Sequence, residues 1–192
     1  MRRFLSISTS PPSRPTEAWE RTLLTYRFIT AALPYLPVAS LCLAAQGLSW
    51  PQILQLAALY SVASAALMIP LAIGAERWGA RRMLRLSAFA IALGAALSVI
   101  GHGELMWAAQ LSFALGAAAD AGVDSAYLWS MCGGCTDQYR RMEAHATMLR
   151  IAGGALGVVG GALLLAYAPV APFAVAALMA VAAAGLASQL PE

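Results

Sequence analysis

Lysine is absent from this chain, and charged residues of either sign are scarce. Of the 192 residues, 11% are charged and 60% are hydrophobic, far from the composition of an average soluble domain. No acidic or basic residue occurs between Phe28 and Ala75 or between Ile151 and Pro191. Each of these runs is too long for a single helix across an apolar layer of about 30 Å. The composition therefore predicts an integral membrane protein.

The same runs give a count of membrane spans. Each folds back once, at "QGLSWPQ" and at "YAPVAP", and residues 84–101 and 105–131 supply two further spans on either side of "GHGE". The predicted fold class is an all-α integral membrane bundle of six transmembrane helices over residues 21–192. Residues 1–20, which are polar and rich in proline, are predicted to form a flexible cytoplasmic N-terminal arm.

The arginines predict which side of the membrane each loop occupies. They gather in the N-terminal region, in the loop after the second span and in the loop after the fourth, and short arginine-rich loops stay cytoplasmic. Both termini are therefore predicted to be cytoplasmic, in a multi-pass protein of a bacterial cytoplasmic (inner) membrane. The net charge of +3 favours contact with anionic membrane lipids and gives no reason to expect nucleic acid. The residues concerned are Arg2, Arg3, Arg14, Arg21, Arg27, Arg77, Arg81, Arg82, Arg85, Arg140 and Arg141.

Three charged residues are not explained by topology. Asp120 and Asp124 lie one helical turn apart in the fourth span, and Arg150 lies at the start of the fifth. A charge at this depth costs several kcal/mol unless it is paired or hydrated, so such residues mark a solute or proton pathway or a structural network between helices. In a regular hairpin Asp124 and Arg150 would lie at similar depth and form an ion pair. Asp120, about 6 Å deeper, would then be suited to carry a proton.

The fifth span also carries a strip of small residues. Gly153, Gly157 and Gly161 recur every four residues on one helix face, a spacing that lets helix backbones approach closely in a membrane. Close helix packing is the default interpretation of this strip. The alternative is a helix interface that moves during function.

Sequence motifs for catalysis and metal binding are weak. The chain has no serine-nucleophile motif, phosphate-binding glycine loop or metal-ligand helix motif, so we expect no enzyme activity, no cofactor and no metal. Cys132 and Cys135 in "CGGC" have the spacing of a redox or metal pair. A zinc ion would need two more ligands, for which His145 and Asp137 are the nearby candidates. A reducing cytosol would instead keep both thiols free.

The loop between the second and third spans, "GAERWGARR", resembles the signature loop of the major facilitator superfamily. That signature runs Gly, three residues, Asp, Arg, any residue, Gly, then two basic residues. The acidic position is occupied by Glu76, the arginine position by Arg77 and the second glycine position by Gly79, and Arg81 supplies one of the two basic residues. Alanine stands at the other two positions, with Ala72 in place of the first glycine and Ala80 in place of the other basic residue. "AGVDSAYLWS" and "YRRMEAHATMLRIAGGALGVVGG" are similar to the fourth and fifth spans of a bacterial branch of that superfamily. The resemblance covers most of the chain but only the N-terminal half of a typical member.

The resemblance implies a secondary active transporter in which two six-helix halves rock about a central site. It also implies that the four signature residues form a conformational latch at the cytoplasmic helix ends. One half provides no opposing wall, so the resemblance favours a homodimer, or pairing with a second six-helix half, that moves a small-molecule solute. Two alternatives remain: a membrane scaffold or assembly protein that does not transport, and an N-terminal fragment of a longer transporter.

Overall fold

The computed structural model describes residues 17–101, 103–121, 123–133 and 135–191, and every regular element in those ranges is a helix. The predicted arm lies largely outside the described residues, and the first helix begins at Glu17. In chain order the helices are α1 (Glu17–Ala31), α2 (Ala39–Ala45), α3 (Trp50–Trp78), α4 (Ala80–Ile100), α5 (Glu104–Asp120), α6 (Val123–Met131), α7 (Thr136–Tyr167) and α8 (Ala171–Gln189).

Four of these helices, α3, α4, α7 and α8, are long and apolar enough to cross a membrane. α3 has 29 residues and α7 has 32, so at about 1.5 Å per residue both are longer than the hydrocarbon layer is thick. Many of their large apolar side chains are exposed, such as Ile69 on α3 and Leu163 on α7. The described chain is therefore all-helical and has the character of a multi-pass membrane protein.

The predicted first span is divided into two helices rather than one. α1 ends at Ala31 and the seven-residue α2 begins at Ala39. Pro34 and Pro37 lie between them, and each removes a backbone N–H donor and crowds the preceding helical turn. Neither α1 nor α2 alone is long enough to cross the apolar layer.

The predicted fourth span is divided as well. α5 ends at Asp120 and α6 begins at Val123, so the carboxylate singled out from the sequence is the last residue of its helix. The third span, in contrast, is one helix over 80–100, close to the predicted bounds. Pro70 lies within α3, which continues through it.

The centre of the bundle is formed by α4, which packs against α5 and α8. α3 packs on the far side of α5, and α1 packs between α8 and α7. Small residues allow this close packing: Gly94 on α4 faces Phe113 and the backbone of Ala109 on α5.

Two apolar clusters form the core, one at the level of Trp19 and Leu128 and the other around Tyr35 and Phe173. The helix pairs on either side of the two breaks, α1–α2 and α5–α6, contribute residues to both clusters.

Candidate functional site

A cleft of about 240 Å³ opens between α1, α3, α5 and α7. The non-helical segment between α1 and α2 forms part of its wall, since Leu33, Tyr35 and Leu36 all line it. Asp120, at the C-terminal end of α5, lines it from another side, together with Arg27 and Arg150. Irregular backbone within a membrane bundle is tolerated where it is buried in protein or lines a cavity. The cleft is such a place.

Aromatic side chains shape the apolar part of the cleft. The ring of Tyr35 stacks on Phe113 of α5 with centroids 4.7 Å apart and lies 5.8 Å from the ring of Phe173 on α8. Tyr60 of α3 lines the opposite wall, and a second hollow of about 210 Å³ adjoins along Tyr35, Leu36, Tyr60 and Phe113. The cleft is therefore charged at one end and aromatic along the rest of its length.

Asp120 is half-buried, and its Oδ1 atom accepts a hydrogen bond from the hydroxyl of Tyr26 at 3.3 Å. The same hydroxyl lies 3.3 Å from the backbone carbonyl oxygen of Leu84 on α4. Tyr26 itself is only 1% exposed. A negative charge at the C-terminal end of a helix is opposed by the helix dipole, and the hydrogen bond from Tyr26 offsets part of this cost.

One hydroxyl proton facing two acceptors lets Tyr26 adapt to the charge of Asp120. A tyrosine hydroxyl donates one hydrogen bond and can accept others. When Asp120 is a carboxylate, Tyr26 donates to it. When Asp120 is protonated, the acid can donate to the Tyr26 oxygen while the hydroxyl proton turns to the Leu84 carbonyl. Both protonation states thus leave these polar atoms hydrogen-bonded, so exchange of a proton at Asp120 avoids the cost of an unsatisfied buried group.

Arg27 lies one residue beyond Tyr26 and is 2% exposed. Its Nη1 atom donates to Oε2 of Glu143 on α7 at 2.9 Å. Oε1 of Glu143 lies 3.5 Å from the hydroxyl of Ser125 on α6. This network joins three helices beside the cleft, and a buried arginine requires such partners.

The structure brings Asp120 and Arg150 to one cleft, but Arg150 is exposed there. Asp124 lies on α6 near its start, and its side chain falls outside the described residues. The predicted ion pair between Asp124 and Arg150 therefore stays a prediction. The structure instead shows an ion pair between Arg27 on α1 and Glu143 on α7. The sequence did not lead us to expect this pair.

The four signature-loop residues lie where α3 meets α4. Gly79 joins the two helices with φ of 86°, a backbone conformation that favours glycine. A guanidinium nitrogen of Arg81 donates to the backbone carbonyl oxygen of Ser188 at the end of α8. Glu76 and Arg77 are exposed. Arg81 thus binds a helix C-terminus, where unpaired carbonyls and the helix dipole favour a cation.

The glycine strip of α7 faces the end of α1. A Cβ atom on Gly153 would lie 2.7 Å from the carbonyl oxygen of Phe28, and one on Gly157 would lie 3.2 Å from that of Ala32. A Cβ atom on Gly161 would overlap the carbonyl oxygen of Pro34. The strip therefore allows α7 to contact the backbone of α1 and of the break that follows it.

Tyr26, Arg27 and Glu143 are the site residues that sequence reasoning did not identify. Arg27 stands next to the uncharged run, where its position matches that of the arginines that indicate membrane topology. One signal was available: Glu143 lies seven residues before Arg150. Two turns separate residues seven apart on a helix, which places Glu143 and Arg150 on similar faces of α7.

Comparison of the chain with protein families, with curated proteins and with solved structures finds no match. Among the described residues, no group of three or more His, Cys, Asp and Glu side chains could hold a metal ion. The cleft and its charges are therefore the features of the described residues that indicate a function.

Proposed function

We propose that the chain is a half-size secondary active transporter of the major facilitator type, which moves a small solute coupled to protons. In this proposal the broken pairs α1–α2 and α5–α6 each cross the membrane as a unit, which gives six spans with both termini cytoplasmic. The observation that carries it is the cleft that Asp120 and Arg150 line and that irregular backbone bounds, with the buried Tyr26 hydroxyl donating to Asp120.

Asp120 is the proposed proton carrier. Ionisable residues within membrane bundles that face a cavity commonly belong to ion or proton pathways. Because Tyr26 has the Leu84 carbonyl as a second acceptor, it supports Asp120 with or without its proton. Arg150 provides a positive charge on the open side of the same cleft, where it would attract an anionic group of the solute or the ionised form of Asp120.

The proposal includes a second subunit that forms the opposing wall of the cleft. The helices α3 and α7, which both line the cleft, carry exposed apolar residues, such as Val62 on α3 and Ile151 on α7. Arg150 is exposed among them, and an arginine facing lipid at that depth is costly. A second copy in the same orientation, or another six-helix half, would enclose both the apolar faces and the arginine.

The signature loop is the proposed latch. Arg81 binds the end of α8, and Glu76 and Arg77 are exposed at the same end of α3, where a second half could contact them. Breaking and reforming these contacts would bias the two halves between their arrangements.

The test uses purified full-length protein in proteoliposomes with a pH gradient, screened for solute-induced currents with a panel of organic anions, organic cations, sugars and amino acids. Asp120→Asn preserves shape and should abolish gradient-driven current. Glu104→Gln removes an exposed acid at the other end of the same helix and should leave the current unchanged. A current that survives Asp120→Asn unaltered would exclude Asp120 as the carrier.

Native mass spectrometry of the complex released from nanodiscs tests the second wall independently. A dimer, or a complex with another six-helix chain, is the expected result. A strict monomer without current for any solute would favour the scaffold or fragment alternatives, in which the cleft charges only hold helices together.

A further inference from the structure

The cysteines of "CGGC" lie at opposite ends of a tight turn between α6 and α7. The backbone N–H of Cys135 donates to the carbonyl oxygen of Cys132 at 3.0 Å, the hydrogen bond of a β-turn, which brings the outer Cα atoms to within about 7 Å. Gly133 takes φ of 59° in this turn. Disulfides join Cα atoms about 4.4 to 6.8 Å apart, so the backbone already approaches the geometry of a bridge.

Contacts between α6 and α7 hold the two helices together near the turn. The rings of Trp129 on α6 and Tyr139 on α7 make an edge contact, with centroids 5.2 Å apart. Farther along, Ser125 lies 3.5 Å from Glu143. These contacts limit how far the turn can open, which raises the effective concentration of one thiol near the other.

The two thiols differ in access to solvent. Cys135 is exposed, whereas Cys132 is 6% exposed and its Sγ lies 3.8 Å from Sδ of Met142. Cys42, the third cysteine, is buried in α2. Reagents in water therefore reach Cys135 first.

We propose that Cys132 and Cys135 form a redox modification site, which reacts with a low-molecular-weight disulfide and closes to a disulfide across the turn. This inference does not depend on the transport function. Cys135 is the entry thiol, and Cys132 is the resolving thiol that leaves its contact with Met142 to reach it.

The chemistry is thiol–disulfide exchange in two steps. The Cys135 thiolate attacks one sulfur of oxidised glutathione, so that a mixed disulfide forms and one glutathione thiolate leaves. The Cys132 thiolate then attacks the sulfur of Cys135, and the bond from Cys135 to glutathione breaks with departure of the second thiolate. The cysteine pair loses two electrons to the glutathione disulfide, and the two thiol protons pass to the solvent or to the released thiolates.

The second step should be slow at neutral pH and faster in alkali. Burial raises the pKa of the Cys132 thiol, and the carboxylate of Glu20 on α1 and the neighbouring Cys135 raise it further. The attacking species is the thiolate, whose fraction grows about tenfold per pH unit while the pH stays below the pKa. The rate of disulfide closure should therefore rise about tenfold for each pH unit, as long as the pH stays below the pKa of Cys132.

The experiment treats the reduced full-length protein in nanodiscs with oxidised glutathione and follows its intact mass, with peptide mapping of the modified cysteines. The wild type should lose two hydrogens, as should Cys42→Ala. Cys132→Ser should stop at a mixed disulfide on Cys135, and Cys135→Ser should remain unmodified. Gly133→Ala places a side chain at a left-handed φ of 59° and should slow closure about tenfold.

Three results would overturn the proposal. The first is a wild type that accumulates the mixed disulfide without closing at pH 8.5. The second is a Cys135→Ser protein modified as fast as the wild type, which would show that Cys132 is the entry thiol. The third is a Gly133→Ala variant that closes at the wild-type rate, since the turn would then not set the geometry.

Discussion

Replacing Gly161 by alanine should destabilise the bundle, whereas the same change at its neighbour Gly160 should not. The Gly161 face of α7 lies against the break between α1 and α2, where a Cβ atom would overlap the carbonyl oxygen of Pro34 and lie 3.2 Å from a methyl of Val38. A Cβ atom on Gly160 would have no neighbour within 4 Å. The two positions are adjacent in one helix, so they form a matched pair.

The expected magnitude follows from two terms. Alanine favours a helix over glycine by about 1 kcal/mol, and this gain applies to both variants. Only Gly161→Ala adds an overpacking cost, typically about 1–3 kcal/mol. The obstructing atom belongs to the backbone of a segment stiffened by two prolines, so it yields less than a side chain would. The difference in unfolding free energy between the variants should therefore be about 1–3 kcal/mol, because the helix term cancels.

Unfolding in mixed micelles, with an increasing fraction of denaturing detergent, measures this difference. Helical circular dichroism and tryptophan fluorescence should report the same transition for each variant. Gly160→Ala should match or exceed the wild type, and Gly161→Ala should unfold at a lower detergent fraction. Equal stability of the two variants would refute the close approach of α7 to the break.

Three further substitutions test separate contacts. Glu143→Ala removes the carboxylate bound by buried Arg27 and should lower the unfolding free energy by about 1–3 kcal/mol, measured in the same micelles; no loss would mean that the pair contributes nothing net. Arg81→Gln should increase amide hydrogen exchange in the last turn of α8, whereas Arg82→Gln, at an exposed neighbour, should not. Equal exchange in the two variants would exclude Arg81 as the cap of the α8 C-terminus. Tyr26→Phe removes the hydroxyl beside Asp120 and should slow proton-coupled current while leaving the fold intact, and an unchanged current would remove Tyr26 from the pathway.

Sequence patterns predicted the long helices because their signal is simple. A helix such as α4 is apolar, free of proline and bounded by Gly79 and Gly101, so length and composition define it. The breaks were harder to place. Pro34 and Pro37 indicate an interruption, but Pro70 lies within a continuous helix, and the outcome depends on which neighbours can bind the released backbone groups.

The charges of the site were predictable only in part. Asp120 and Arg150 stand out because each lies within or beside a long apolar stretch. Arg27 and Glu143 are 116 residues apart, so the spacing of Glu143 and Arg150 along α7 could indicate a shared helix face but not the pairing of Glu143 with Arg27. Their pairing depends on how α1 packs against α7, which is tertiary information.

The break between α1 and α2 also has a consequence for biogenesis. α1 and α2 emerge from the ribosome before α7, but neither is long enough to be held in the bilayer as a complete span. The glycine strip that packs against the carbonyl groups of Ala32 and Pro34 lies in α7, more than a hundred residues later. We therefore expect the first segment to remain loosely held during synthesis and to reach its final position only after α7 has been inserted.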